Sequence, residues 1–230
     1  MADTEGVFLP MWPDGASDDY IRARMDLAAA ERRLRDEIEN VAAARRALPP
    51  GAVIEDYILT EGDPQRQTRI SQLFGDHDTL VIYHLMFHPD ADAACPMCSM
   101  WVDGFHGVSH HLAQHAGFAV VAKAPQAKLL DWAAKRGWDG LRLLSSHGTT
   151  FNADLRAEHP NGDQRPMISV FTRDPGTTAI RHVHSLPANF VDGSQRAIDL
   201  LSPVWNVLDL LPGGRGEWYA ENGYAGRDRG

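Results

Sequence analysis

The sequence has little cysteine, two residues in 230, which excludes the disulfide-dense scaffolds of small secreted domains. It has no apolar run of the ~18 residues that a membrane helix needs, because charged or strongly polar residues interrupt every such stretch. It also lacks basic character. Twenty-two Lys plus Arg face 31 Asp plus Glu, a net charge of −9, so phosphate backbones and anionic lipid surfaces are repelled and neither nucleic acid nor a membrane is the expected partner. Residues 1–15 lack a basic segment and an apolar core, so no secretory signal is read there and a cytoplasmic protein is expected. There is no phosphate-binding glycine loop, internal repeat or nucleophilic serine motif. What remains is an ordinary globular composition, 43% hydrophobic and 23% charged, in a length that suits one domain with an appended arm.

The two cysteines stand together as Cys95-Pro96-Met97-Cys98, and most of the 11 histidines fall around and after them, between His77 and His184. Their surroundings define a pattern of elements. Residues 1–16 read as an irregular lead-in broken by Pro10, Pro13 and Gly15. Residues 17–50 read as a long helical arm. Ser17 or Asp18 caps it, no Gly or Pro follows until Pro49-Pro50-Gly51, and Tyr20, Leu27, Leu34, Val41 and Leu48 recur every seven residues. That stripe suits docking on the same chain or on a second copy, a homodimer.

Residues 51–214 form the expected main domain. Val53-Ile54 and Tyr57-Ile58-Leu59 are short strand-like pieces before the turn cluster at Glu61-Gly62-Asp63-Pro64. Thr79 to Phe87 is a near-continuous apolar run, the pattern of a central strand covered on both faces. The cysteines follow, then a helical spacing from Ser99 to Ala116, a second buried strand over 118–122, a helix over 125–136 and a short strand at 141–144. Met167 to Arg173 and Ala179 to His184 read as an antiparallel hairpin around Asp174-Pro175-Gly176. A last helix, Ser194 to Leu211 with a kink at Pro203, precedes a loose tail over 215–230. Strand, Cys-x-x-Cys, helix, strand, helix, hairpin and helix is the order of a thioredoxin-like α/β fold, a mixed sheet between helices.

In this order the dithiol falls just past a central strand at the start of a helix. The unpaired N–H groups there favour a thiolate, so Cys95 is read as the attacking thiol and Cys98, one turn further in, as the resolving thiol. Pro96 fits a first helical turn. A peroxide would convert Cys95 to a sulfenate that Cys98 resolves. No cofactor is required in this reading. Two other readings of a Cys-x-x-Cys stay open, half of a zinc site and two buried small side chains. Asp103, two turns after Cys95, is a candidate proton relay.

The segments Tyr83-His84-Leu85-Met86-Phe87, Cys95-Pro96-Met97-Cys98-Ser99-Met100-Trp101-Val102-Asp103-Gly104-Phe105, Ala122-Lys123-Ala124-Pro125 and Ser145-Ser146-His147-Gly148-Thr149-Thr150-Phe151-Asn152 resemble a bacterial family of thioredoxin-like proteins. That family, long known as a domain of unknown function, is predicted to act as dithiol-disulfide oxidoreductases. The resemblance runs from about Asp18 to about Gly214. It implies the thioredoxin-like fold and a redox dithiol at Cys95 and Cys98, with a disulfide or peroxide as substrate and an unidentified reductant. In this comparison His88 stands where a small residue is usual, and His147 and His184 where tyrosines are expected. Pro166, just before the Met167 strand, resembles the position of the cis-proline that faces the dithiol in thioredoxin-like proteins.

The histidines support an alternative. His84 and His88 alternate onto one face of the strand that delivers the cysteines, and His182 and His184 share a face of a late strand. Together with Cys95 and Cys98 they make a nitrogen-sulfur set suited to copper or zinc, for metal handling or metal-dependent oxidation. The pairs His106/His110 and His111/His115 stand at i, i+4 as either metal ligands or a solvated helix face. A third alternative, a non-catalytic dimeric binding module, rests on the heptad stripe of the arm.

Overall fold

A computed structural model describes residues 9–174, 176–190 and 192–223. The first eight residues of the lead-in, Pro175 of the hairpin turn and the last seven residues of the tail lie outside the described residues. The chain divides into two compact units, residues 1–49 and 50–230. The first unit contains α1, Asp18–Arg46. Ser17 caps it by accepting the Tyr20 N–H at 3.3 Å, Asp18 and Asp19 sit in its first turn and Arg45 and Arg46 in its last, each sign matching the helix dipole. The ion pairs formed along it are Arg22–Asp19, Arg24–Glu31 and Arg35–Asp36.

The second unit has the mixed sheet of a thioredoxin-like α/β fold. Its strands are β1 (Val53–Ile54), β2 (Ile58–Glu61), β3 (Arg66–Arg69), β4 (Thr79–Leu85), β5 (Gly117–Ala122), β6 (Leu143–Ser145), β7 (Met167–Arg173) and β8 (Ile180–Pro187), in the order β1-β8-β7-β4-β5-β6-β2-β3. β4, β5 and β6 run parallel and every other pairing is antiparallel. The crossovers of the parallel strands are α2 (Pro96–Leu112) and α3 (Gln126–Arg136). β3 is a strand that the sequence pattern does not announce. Its residues Arg-Gln-Thr-Arg form an outer strand with only Thr68 turned inward, so no apolar alternation marks it.

The central strand sorts its side chains by the period of two. Leu80 and Ile82 enter one core with Phe74, Phe151 and Phe171. Tyr83 and Leu85 enter the other, with Cys98, Trp101, Val102 and Phe105 of α2. Trp101, Phe105 and Trp138, expected as core residues, are all buried there.

The last helix differs from its sequence pattern. A 3-10 turn at Asp199–Leu201 and a separate α5, Pro203–Leu208, replace one kinked helix. Pro203 drives the preceding Ser202 to extended backbone, φ −107 and ψ 118, and then serves as the first residue of α5. The tail is not loose at its start. Arg215 is paired with Asp199 and Asp209, Trp218 packs edge-on against Trp205 with ring centroids 5.5 Å apart, and Asn222 gives its carbonyl to Arg136. No helix among the described residues is long and apolar enough to cross a membrane.

β5 starts against the backbone of the 3-10 turn Ile70–Phe74: a Cβ at Gly117 would lie 2.3 Å from the Leu73 carbonyl oxygen. Backbone cannot yield as a side-chain tip does. Gly117→Ala is therefore expected to lower stability by about 1–3 kcal/mol in denaturant melts. Gly107→Ala, on α2 with open space around it, should be neutral or stabilising by up to about 1 kcal/mol. Equal melts for the two variants would contradict the close approach.

Candidate active site

The dithiol sits at the C-terminal edge of the parallel strands. Cys95 is the residue that caps the start of α2, and Pro96 follows as its first helical residue, where the missing N–H costs nothing. Four hydrogen bonds hold the connection from β4. The Cys95 N–H donates to the Met86 carbonyl at 2.9 Å, the Phe87 N–H donates to Gln164 Oε1 at 2.9 Å, and Lys128 Nζ of α3 donates to the Pro89 and Ala91 carbonyls at 2.8 Å each. Cys98 lies one turn into the helix and is buried, whereas Cys95 is half-buried.

That difference in place makes the two thiols chemically unlike. The Cys98 S–H donates toward the Cys95 sulfur, and the Met97 and Cys98 backbone N–H groups add to it. Against the opposing effect of burial, these bring Cys95 down to about 6 from an ordinary thiol's 9.0. Cys98 moves the other way, well above the ordinary value, because its proton is held by Cys95 and because it is buried. The Met86 N–H and the Tyr83 hydroxyl partly offset this. Reduced Cys95 is thus a thiolate at neutral pH with a protonated thiol beside it.

Tyr83 is a site residue that the sequence pattern hides. It is fully buried, its ring packs against Phe105 at 5.3 Å, and its hydroxyl lies beside the Cys98 sulfur. Its signal was a hydroxyl in the middle of an apolar strand, where an aromatic oxygen must find a partner. Tyr219, exposed on the C-terminal segment, stands near both sulfurs.

The structure separates the other candidates. His84 points away from the dithiol: its Nε2 meets Ser169 Oγ at 2.9 Å and its ring stacks on Phe151, in the core across the sheet. There burial, and then the charge of His182, hold its pKa down to about 3. His182 is on that same far side. It packs against Phe171 and meets Ser185 Oγ at 2.7 Å, which in turn is 2.7 Å from Ser169 Oγ. A bulge between Val170 and Phe171 breaks the alternation, so His184 pairs with Val170 and does not share a face with His182. His88 is exposed in the connection after β4, its Nδ1 accepting the Asp90 N–H at 3.2 Å. The copper or zinc set is therefore not assembled. Among the described residues no group of three or more His, Cys, Asp or Glu is placed to hold a metal.

His106 meets the Asp139 carbonyl at 2.8 Å, and His110 and His111 lie against one another. Asp103 is engaged by Arg136 and by Trp138 Nε1, the latter at 2.7 Å, a bracing role between α2 and the end of α3. His147 is exposed in the loop after β6. The cis peptide among the described residues is Asp63–Pro64. Arg165–Pro166 is trans, so Pro166 does not reproduce the expected cis-proline.

A bacterial family, described as "Bacterial protein of unknown function (DUF899)", matches residues 12–229. The chain belongs to this family. A search of curated proteins found no match. Similar solved structures include peroxidoxin BcpB from Mycobacterium tuberculosis, 18% identical over 67% of this chain and 94% of that one, with a TM-score of 0.48. PrxQ from Xylella fastidiosa, in a mutant form, is 14% identical over 67% and 93%, also with a TM-score of 0.48. The reduced 2-Cys peroxiredoxin of Plasmodium vivax is 13% identical over 66% and 78%, with a TM-score of 0.47.

Iodoacetamide reads the thiolate fraction directly. Its rate with Cys95 should rise with pH through about 6 and level off by neutral pH, with Cys98 left unmodified. In Cys98→Ala the S–H donor is gone, and the inflection should move up toward the ordinary thiol range. The same inflection in both proteins would contradict donation from Cys98 as the cause.

Proposed function

We propose that this protein is a thiol-disulfide oxidoreductase that cycles Cys95 and Cys98 between dithiol and disulfide. The observation that carries the reading is the pairing of a half-buried thiolate at a helix start with a buried, protonated thiol one turn behind it. A site of this kind has an exposed nucleophile and a shielded second thiol, the division of labour that exchange requires.

In the first step the Cys95 thiolate attacks one sulfur of a substrate disulfide. A mixed disulfide forms and the other substrate sulfur leaves as a thiolate, which takes a proton from water. In the second step Cys98 attacks the Cys95 sulfur. The bond to the substrate breaks, Cys95 and Cys98 are joined, and the proton of Cys98 passes to the departing substrate thiolate. The substrate is reduced by two electrons and the protein is oxidised by two. With a hydroperoxide, Cys95 takes one oxygen to become a sulfenic acid and an alcohol or water leaves. Cys98 then displaces that oxygen as water. An external thiol restores the dithiol in either case.

Consumption of hydrogen peroxide and of a small-molecule disulfide with dithiothreitol as reductant tests this reading and ranks the two substrates. Wild-type protein should turn over at least one of them. Cys95→Ser should fall to the uncatalysed background, and Cys98→Ser should accumulate the Cys95 adduct, visible by intact mass. Turnover by Cys95→Ser at the wild-type rate would overturn the assignment.

A further inference from the structure

The second step has a difficulty that the fold must meet. Cys98 is buried and its thiol is held protonated, yet it has to bear negative charge as it attacks. Once Cys95 is tied up in a mixed disulfide or sulfenic acid, its own thiolate charge is gone. The groups able to steady charge on the Cys98 sulfur are then those that face it from β4 and the connection that follows, the Met86 N–H and the Tyr83 hydroxyl. Tyr83 stands on the face of β4 that meets α2, fully buried in the same core as Cys98, and its hydroxyl has no hydrogen-bond partner while both cysteines are free thiols. A buried hydroxyl without a partner is costly, and the neighbouring group that can become its acceptor is the Cys98 sulfur, once charge develops there.

We infer that Tyr83 is the hydrogen-bond donor that stabilises the Cys98 sulfur during resolution, a role that none of the sequence motifs assigns to it. The inference rests on the dithiol reading above and assigns Tyr83 to its second step alone. As the Cys98 proton departs, the phenol keeps its own proton and directs it at the developing thiolate. In a buried site such a bond is worth more than in solution and needs no reorganisation. The Cys95 sulfur instead has the backbone N–H groups of Met97 and Cys98 and the Cys98 S–H, so its first attack does not depend on the phenol.

The aromatic disulfide 5,5′-dithiobis(2-nitrobenzoate) separates the two steps. Cys95 releases one coloured thiolate on attack. Cys98 releases the second when it closes the disulfide, its proton going to solvent because that leaving thiol is acidic. Tyr83→Phe should leave the first release within about twofold and slow the second by about tenfold or more, the effect of removing one hydrogen bond to a charged group. Tyr83→Met, whose flexible side chain fills an irregular gap, is the second replacement should the first fail to fold. A second release at the wild-type rate in a folded variant overturns the role of Tyr83. Absence of any second release from the wild type sinks the dithiol reading itself, a different failure.

Discussion

Cys98 stands one turn behind Cys95 in α2, and the interaction of the two thiols lowers the pKa of the one and raises that of the other. That interaction favours a thiolate at the outer position and a neutral thiol at the inner one. The charge is then placed where a substrate can reach it, at the open start of α2. Burying Cys98 strengthens the division, since a shielded thiol resists ionisation. In the proposed cycle the same burial opposes the second step, and the phenol inferred to relieve it, Tyr83, lies buried in the same core as Cys98.

The surroundings hold the segment that carries the two thiols in place. Lys128 and Gln164, from two separate parts of the chain, tie down the connection after β4 by its backbone. Asp103 braces α2 against Arg136 and Trp138 further along. Across the sheet, a buried chain from His84 through Ser169 and Ser185 to His182 links β4 to the β7–β8 hairpin. The histidine surplus thus contributes in part to sheet structure, with His84 held neutral by its burial.

The order of the main elements was legible from sequence because β4 is a near-continuous apolar run, β5 is apolar throughout, and the helices carry clear stops, such as Gly137 in its left-handed conformation after α3. The dithiol was legible for the same reason, lying between a buried strand and a helical pattern. What escaped was set by geometry that a linear pattern does not encode. β3 is polar because it lies at the outer end of the sheet. The period of two groups alternate residues of β4, but it does not say which group meets α2, and His84 falls on the far side while Tyr83 meets the sulfur. A single bulge in the hairpin parts His182 from His184. Pro203 begins a helix where the pattern suggested a kink, because Ser202 before it turns extended.

In the proposed cycle Cys95 and Cys98 form one redox pair within a single chain. Its most direct test is to expose reduced protein to oxidised glutathione, alkylate the remaining thiols and map the peptides by mass spectrometry. The peptide spanning Cys95 and Cys98 is expected to lose two hydrogen atoms and escape alkylation, through an intrachain disulfide. Recovery of both cysteines alkylated, or joined to a second chain, would contradict it.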